Sequence, residues 1–342
     1  MSIEAKTILD RLLGGGNLAE SEAGEVMQLL TDEALPQAMS AALLIALRQK
    51  GETAEEVRGF AKAMRKLATT TRLPGGLAAA DVVGTGGDKS GSVNISTGTA
   101  LLAAGCGVPV VKHGNRSVSS KSGSADVLET LGVPMPKEPD TAIACLTQCG
   151  FTFLFAPYFH PAMKTVAPVR AAMGVRTVFN ILGPLTNPAE PPFQLIGAFD
   201  LETARLMAEA LMGMDIERAF VVYGEPGWDE ATPVGPFTLF DVKSGETVEE
   251  RRDALDYGIP RCAAEQLTGG DAQFNARALE AVVNGEDQGA HRDALLLGAG
   301  LVLELTGRAS GLGDGIAKAR ESLDSGAAAL VLERLRAFAS DA

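Results

Sequence analysis

The sequence predicts an α/β protein with a small all-helical domain and a large domain whose mostly parallel central sheet is flanked by helices. Through residue 70, apolar residues recur at helical spacing and no strand pattern occurs. Beyond it, short apolar runs alternate with helical segments, which indicates βαβ units and a parallel sheet covered on both faces. The 342 residues, 46% of them hydrophobic, suffice for two domains with large cores.

Four helices are predicted in the small domain. The fourth has a capping box, with Thr53 as N-cap and Glu56 at the third helical position. The third is apolar on more than one face and must be buried on most sides, which favours a second subunit as part of its cover. The alternative is that it packs wholly against its own chain. The predicted helices cover residues 3–13, 23–30, 36–49 and 53–69, and residues 72–76 form a linker.

After this linker, strands and helices alternate. Five buried strands are predicted at residues 80–83, 108–111, 151–155, 194–198 and 219–223, and two edge strands at 237–242 and 246–251. Helices are predicted at residues 96–105, 124–131, 141–150, 202–212, 290–305, 314–322 and 326–338.

A glycine-rich turn, GTGGD at residues 84–88, follows the first strand. Its glycines can adopt positive φ and leave backbone N–H groups uncovered. The following NIST run, residues 94–97, supplies N-cap residues at the start of a helix, where N–H groups and the helix dipole favour an anion. A glycine-rich turn alone is as often a simple chain reversal that binds no ligand. The GTGGD turn followed by the NIST run predicts an anion site.

A second polar loop follows the second strand, with the sequence KHGNRSVSSKSGS at residues 112–124. Its cations and hydroxyl groups suit a second anion site. Ligands of parallel sheets bind at the carboxyl ends of the strands, so both loops are expected to face one cavity.

These two signatures are long, ordered and almost gapless, and on them the chain resembles the anthranilate phosphoribosyltransferases, which join anthranilate to phosphoribosyl pyrophosphate (PRPP). The segment HPAMKTVAPVRAAMGVRTVFNILGPLTNP, residues 160–188, resembles the family as well. The resemblance implies a small domain of residues 1–70, joined by returning helices at about 160–190, that makes a homodimer contact. Residues 71–159 and 191–342 would form the large PRPP-binding domain.

The resemblance also assigns site residues. Anthranilate would be bound by Gly84, Asn115 and Arg170. The planar guanidinium of Arg170 suits the carboxylate of that substrate. Two Mg²⁺ ions per subunit would be held at Ser96, Asp229 and Glu230. Arg176 is interpreted as structural. PRPP would be bound by Gly84, Gly87, Asp88, Ser92, Asn94, Ile95, Ser96, Thr97, Lys112, His113, Gly114, Asn115, Arg116, Ser117, Val118, Ser119, Ser120 and Ser124.

The implied reaction is displacement of pyrophosphate at C1 of the sugar with inversion, and no residue stands out as an obligatory acid or base. It would be the second step of tryptophan synthesis from chorismate. Two departures concern loop detail: residues 231–237 read ATPVGPF where ISLTGPT is usual, and Lys89 lies in a run that is usually more neutral.

Two other functions are weighed. A pyrimidine nucleoside phosphorylase would carry a His-Thr-Gly-Gly-Thr run where this chain has KHGNRSVSSKSG. A non-catalytic nucleic-acid-binding relative would need a basic surface, whereas the net charge is −13. No apolar run approaches the roughly 18 residues of a membrane span, and the start lacks a signal-peptide pattern, so a cytoplasmic protein is expected. The four cysteines show no metal-like grouping.

Overall fold

The protein is described by a computed structural model that covers residues 4–117 and 121–341. Its centre is a seven-stranded sheet in the order β3-β2-β1-β4-β5-β6-β7. Strands β1 to β5 are parallel, and β6 and β7 are antiparallel at one edge. The strands are β1 (Ala80–Gly84), β2 (Val110–Gly114), β3 (Phe151–Phe155), β4 (Phe193–Gly197), β5 (Arg218–Gly224), β6 (Phe237–Lys243) and β7 (Glu246–Arg252).

Helices precede the sheet and cover both of its faces. In the described residues they are α1 (Ala5–Leu13), α2 (Glu20–Leu30), α3 (Gln37–Lys50), α4 (Ala54–Leu67), α5 (Ile95–Gly105), α6 (Ser124–Thr130), α7 (Pro139–Cys149), α8 (Ala156–Phe159), α9 (Met163–Met173), α10 (Phe179–Leu182), α11 (Leu201–Leu211), α12 (Ala272–Val283), α13 (Ala290–Leu305), α14 (Leu312–Asp324) and α15 (Ala327–Asp341). Among them, none is long and apolar enough to cross a bilayer.

The buried side chains form two large apolar clusters, one on each face of the sheet. Alternation along β5 divides them: Phe220 belongs to the cluster with α5 and α13, and Val221 to the cluster with α1–α4 and α11. The core of the N-terminal helices is therefore continuous with one face of the sheet. Helices α9 and α10 contact α3 and α4, respectively.

The fold class predicted from the sequence is confirmed, and all seven strands occur close to their predicted positions. Helix α12 was not predicted. Its start carries a signal that could have been used, because the side chain of Asp271 caps the helix by accepting a hydrogen bond from Phe274 N at 2.8 Å.

The strand order sets the place of a ligand site. The chain runs from β1 through α5 to β2 on one side, and from β4 through α11 to β5 on the other. Loops after β1 and β4 therefore diverge, and the crevice between them lies at the carboxyl ends of the strands.

Candidate active site

Three parallel strands end in glycine so that one acidic segment can cross above them. A Cβ at Gly84 would lie 2.4 Å from Asp229 Oδ2, and one at Gly197 only 1.5 Å from the Asp229 carbonyl oxygen. At Gly224 it would lie 2.1 Å from the Glu230 carbonyl oxygen. These contacts bring the predicted metal ligands against the carboxyl ends of β1, β4 and β5.

The carboxylates of Asp229 and Glu230 contact the glycine-rich loop and the first turn of α5, which together form the first predicted anion site. Asp229 Oδ2 accepts a hydrogen bond of 2.6 Å from Gly86 N in the glycine-rich loop, and Glu230 Oε1 accepts one of 3.0 Å from Ser96 N in the first turn of α5. Burial and the Asp88 carboxylate raise the pKa of Asp229 to about 7, and burial and Asp229 raise the pKa of Glu230. The sequence-distant acidic pair and the glycine-rich loop thus form one site.

A buried lysine lies beneath this pair. Lys112 is 1% exposed, donates to the Val82 carbonyl and lies 3.3 Å from Ser96 Oγ. Burial lowers its pKa, while Asp81 and Glu230 act in the opposite direction. The predicted lysine is therefore beside the predicted metal-binding serine.

Sequence reasoning missed the buried support behind Lys112. Asp81 on β1 accepts hydrogen bonds from His113 N at 3.2 Å and from Asn187 Nδ2 at 2.8 Å. Asn187 Nδ2 also donates to the Val111 carbonyl at 2.8 Å. Burial raises the pKa of Asp81 to about 6. The available signal was an acidic residue within an otherwise apolar strand.

Two histidines line the interior next to β2. The rings of His113 and His160 lie 5.0 Å apart, and His113 Nδ1 is 3.2 Å from the Gly183 carbonyl. Burial lowers the pKa of His113 to about 3 and that of His160 to about 4, so both rings are neutral at pH 7. His113 Nε2 is buried with no hydrogen-bond partner in the described part of the chain. His160 was not predicted as a site residue.

Arg170 presents a guanidinium that has no acidic partner among the residues that the structure describes. It lies on α9 with its Cζ 5.2 Å from the Phe179 ring centroid, and burial lowers its pKa. Within residues 4–117 and 121–341, no carboxylate forms an ion pair with it. An arginine half-buried in this way can receive the carboxylate of a ligand.

Arg116 differs from Arg170 because α6 already engages it. Its guanidinium pairs with Asp126 at 2.6 Å and Glu129 at 2.8 Å, so a ligand would compete with these two carboxylates for it. Asn115 Oδ1 accepts from the Arg116 backbone N at 2.7 Å. The predicted residues Val118, Ser119 and Ser120 lie outside the described residues.

The remaining predicted residues connect the two loops. Asn94 Nδ2 donates to the Ser122 carbonyl at 3.4 Å, and Ser124 Oγ donates to the Asn115 carbonyl at 3.3 Å. Asn94 Oδ1 accepts from Asn275 Nδ2 at 2.8 Å, a contact from α12 that the sequence did not indicate. Gly87, Asp88 and Ser92 lie in the loop after β1, Ile95 and Thr97 in the first turn of α5, and Gly114 at the end of β2.

Comparison with known proteins first defines the class. A profile described as the helical bundle domain of a glycosyl transferase family matches residues 6–68, and one described as the a/b domain of that family matches residues 77–329. The chain thus has both domains of this glycosyl transferase family.

Individual relatives give the particular family. Anthranilate phosphoribosyltransferase of Rubrobacter xylanophilus is 45% identical over 326 residues, 95% of each chain. The Thermus thermophilus enzyme has a TM-score of 0.91 at 43% identity, covering 97% of this chain and 99% of that one. The Saccharomyces cerevisiae enzyme in complex with PRPP and Mg has a TM-score of 0.89 at 28% identity, covering 99% and 98%. The chain belongs to the anthranilate phosphoribosyltransferase family.

Proposed function

We propose that this protein transfers the phosphoribosyl group of PRPP to the amine of anthranilate, giving N-(5-phosphoribosyl)anthranilate and pyrophosphate. The observation that supports the proposal is that the glycine-rich loop, the first turn of α5 and Lys112 on β2 meet the acidic pair at the carboxyl ends of β1, β2 and β5. In metabolism this reaction is the second step of tryptophan synthesis from chorismate.

PRPP binds through the glycine-rich loop, the first turn of α5 and Lys112. Gly86 N and Ser96 N each donate to a carboxylate oxygen of the acidic pair, so both segments direct backbone N–H groups at negative charge. Lys112 adds a buried positive charge beside Ser96. The predicted polar residues of the KHGNR loop bind the rest of the substrate.

The acidic pair fits Mg²⁺. Asp229 and Glu230 offer carboxylate oxygens, and burial together with neighbouring carboxylates raises the pKa of each, a cost that a bound divalent cation would relieve. No group of three His, Cys, Asp or Glu side chains in the described ranges could hold a metal by itself. This agrees with the usual coordination of Mg²⁺, which takes one or two carboxylates and completes its shell with waters and substrate phosphates. We propose two ions per subunit, with the Ser96 hydroxyl as a further ligand.

The chemistry needs charge stabilisation more than acid or base catalysis. The arylamine of anthranilate is already neutral at pH 7, and His113 and His160 are neutral as well. Asp229 and Glu230 would hold the Mg²⁺, which would stabilise the charge that develops on pyrophosphate. Lys112 and the loop N–H groups act on the same charge, and Arg170 orients the acceptor through its carboxylate. Attack opposite the departing pyrophosphate inverts C1.

The decay of anthranilate fluorescence tests this function. We expect consumption that requires both PRPP and Mg²⁺, with none when either is omitted or when EDTA is added. Cleavage of thymidine by inorganic phosphate, without anthranilate consumption, would instead identify a nucleoside phosphorylase. A gel shift at moderate salt would reveal a nucleic-acid-binding relative.

We further propose a homodimer through the N-terminal helices, and the cytoplasmic location stays a prediction of the sequence. Leu13 on α1 is 68% exposed and Ile45 on α3 is 42% exposed, so each of these two packed helices leaves an apolar side chain facing outward. Ile45→Glu should shift the sedimentation coefficient to that of a monomer. Leu255→Glu, at an exposed site outside α1 and α3, serves as the control. A wild-type monomer at micromolar concentration would contradict this assembly.

A further inference from the structure

Arg176 joins the segment after α9 to the glycine-rich loop, to the Phe199 ring and to α3. It follows α9, which ends at Gly174 in a left-handed conformation with φ 62°. Its guanidinium donates from Nη2 to the Gly87 carbonyl in the glycine-rich loop. The same group lies 4.0 Å from the centroid of the Phe199 ring. Its backbone carbonyl accepts a hydrogen bond of 2.8 Å from Arg48 Nη1 on α3.

We propose that Arg176 is a positioning residue that fixes the glycine-rich loop for PRPP, an inference that rests on the proposed function. A trans peptide group holds its C=O and N–H in opposite directions. Fixing the Gly87 carbonyl against the guanidinium therefore directs Asp88 N away from Arg176. The loop keeps a backbone orientation in which its N–H groups can meet an anion.

Backbone bonds hold the two ends of the loop, from Thr85 N to the Gly197 carbonyl at 2.9 Å and from Gly269 N to the Gly91 carbonyl at 2.8 Å, and Asp88 Oδ2 accepts a long bond of 3.4 Å from Asp229 N. The glycines between these ends have few other restraints. Gly86 and Gly87 have φ of 66° and 76°, a region in which glycine alone is free of strain. A Cβ added at Gly86 or Gly91 would have no heavy atom within 4 Å, so no side chains pack there. Gly86 N is held by Asp229, a proposed metal ligand, and that bond can change when a cation binds. The Arg176 contact does not depend on the metal.

Arginine suits this role better than lysine. A planar guanidinium stacks on an aromatic ring while its N–H groups stay directed in the plane, and it remains charged at every relevant pH. Arg48 fixes the backbone of Arg176 from α3, so Arg176 links the N-terminal helices to the loop. Arg170, which is proposed to receive anthranilate, lies upstream on the same segment. The proposed anthranilate subsite at Arg170 and the proposed PRPP loop held by Arg176 therefore depend on the same segment of the chain.

The role predicts a selective kinetic effect. Arg176→Gln should raise KM for PRPP about tenfold, the size of one lost hydrogen bond to a charged group. The KM for anthranilate should change less than about twofold, because Arg170 and its ring contact are untouched. Arg176→Lys keeps the charge without the planar fork, so its KM for PRPP should lie between wild type and Arg176→Gln.

Hydrogen exchange of the ligand-free protein tests the Arg176 contact without reference to activity. Amides of residues 84–91 should exchange faster in Arg176→Gln, and to a smaller extent in Arg176→Lys, than in wild type. Arg205→Gln is the matched control, because Arg205 also lies over a ring, Phe240, at 5.9 Å and pairs with Glu249 on the surface. It should leave loop exchange and both KM values unchanged.

The outcomes separate this role from a general structural one. Unchanged exchange of the loop in both Arg176 variants overturns the proposal, and so does an equal rise of both KM values together with a lower melting temperature. If Arg176→Gln does not fold, Arg176→Lys decides on the same two readouts. Wild-type protein that fails to bind PRPP refutes the proposed function, whereas the exchange measurement still decides whether Arg176 holds the loop.

Discussion

Replacing Arg170 by alanine removes the group that is proposed to recognise the anthranilate carboxylate. The side chain leans on the Phe179 ring at 5.2 Å and has no ion-pair partner among the described residues. Its truncation therefore leaves none of the described carboxylates without a partner. The substitution is expected to lower the affinity for anthranilate, because its carboxylate then binds without a cation beside it.

The size of this effect follows from the bond that is lost. A hydrogen bond to a charged group contributes about 1.5–3 kcal/mol, which corresponds to roughly a 10- to 150-fold change in affinity. We expect the KM for anthranilate to rise by that factor in Arg170→Ala. The KM for PRPP should change by less than about threefold, because its proposed ligands lie on other elements.

Initial rates from anthranilate fluorescence, with each substrate varied at saturating levels of the other, measure both constants. Arg170→Lys keeps the charge but loses the bidentate fork, so its KM for anthranilate should lie between those of wild type and Arg170→Ala. Equal increases of both KM values in Arg170→Ala would refute the assigned role.

Further changes test other parts of the site. Gly197→Ala should abolish activity, because its Cβ would lie 1.5 Å from the Asp229 carbonyl oxygen, while Gly75→Ala, with no neighbour within 4 Å, should stay active. Glu230→Gln should shift Mg²⁺ activation at least about tenfold to higher concentration, and an unchanged activation curve would exclude it as a ligand. Burial depresses the pKa of His160 to about 4, below the unfolded value near 6.5, so its stabilisation is present above pH 6.5 and is lost as pH falls. Denaturant unfolding at pH 7.5 and pH 5.0 should therefore show about 2 kcal/mol less acid destabilisation in His160→Asn than in wild type, and equal pH dependence would contradict the depressed pKa. Burial raises the pKa of Asp81 to about 6, so protonation of Asp81 stabilises the folded protein as pH falls. This contribution is the same in wild type and in His160→Asn, and it cancels when the two are compared.

The sequence predicted those features of the fold and site that have a local cause. Apolar runs and glycine-rich turns report backbone conformation within a few residues, so the strands and the loop after β1 were found near their observed positions. The acidic pair and Arg170 were assigned through the family resemblance. The structure adds that Asp229 contacts Gly86 from a strand end far along the chain.

The parts that were missed depend on contacts between distant residues. Asp81 on β1 accepts a hydrogen bond from Asn187, which lies before β4, and Asn94 accepts one from Asn275 in the first turn of α12. Neither contact leaves a pattern in the sequence around these residues. His160 is followed by Pro161 in the sequence, and only the fold brings its ring beside that of His113. The ion pairs of Arg116 with α6 likewise depend on the folded structure, because the partners Asp126 and Glu129 lie beyond the predicted loop.

The most direct test of the proposed site is a crystal structure with PRPP and Mn²⁺, recorded at a wavelength where manganese scatters anomalously. We expect an anomalous peak beside Asp229 and Glu230, with the pyrophosphate between the glycine-rich loop and Lys112. Ordered PRPP bound away from the carboxyl ends of β1 and β2, or manganese bound far from the acidic pair, would contradict it.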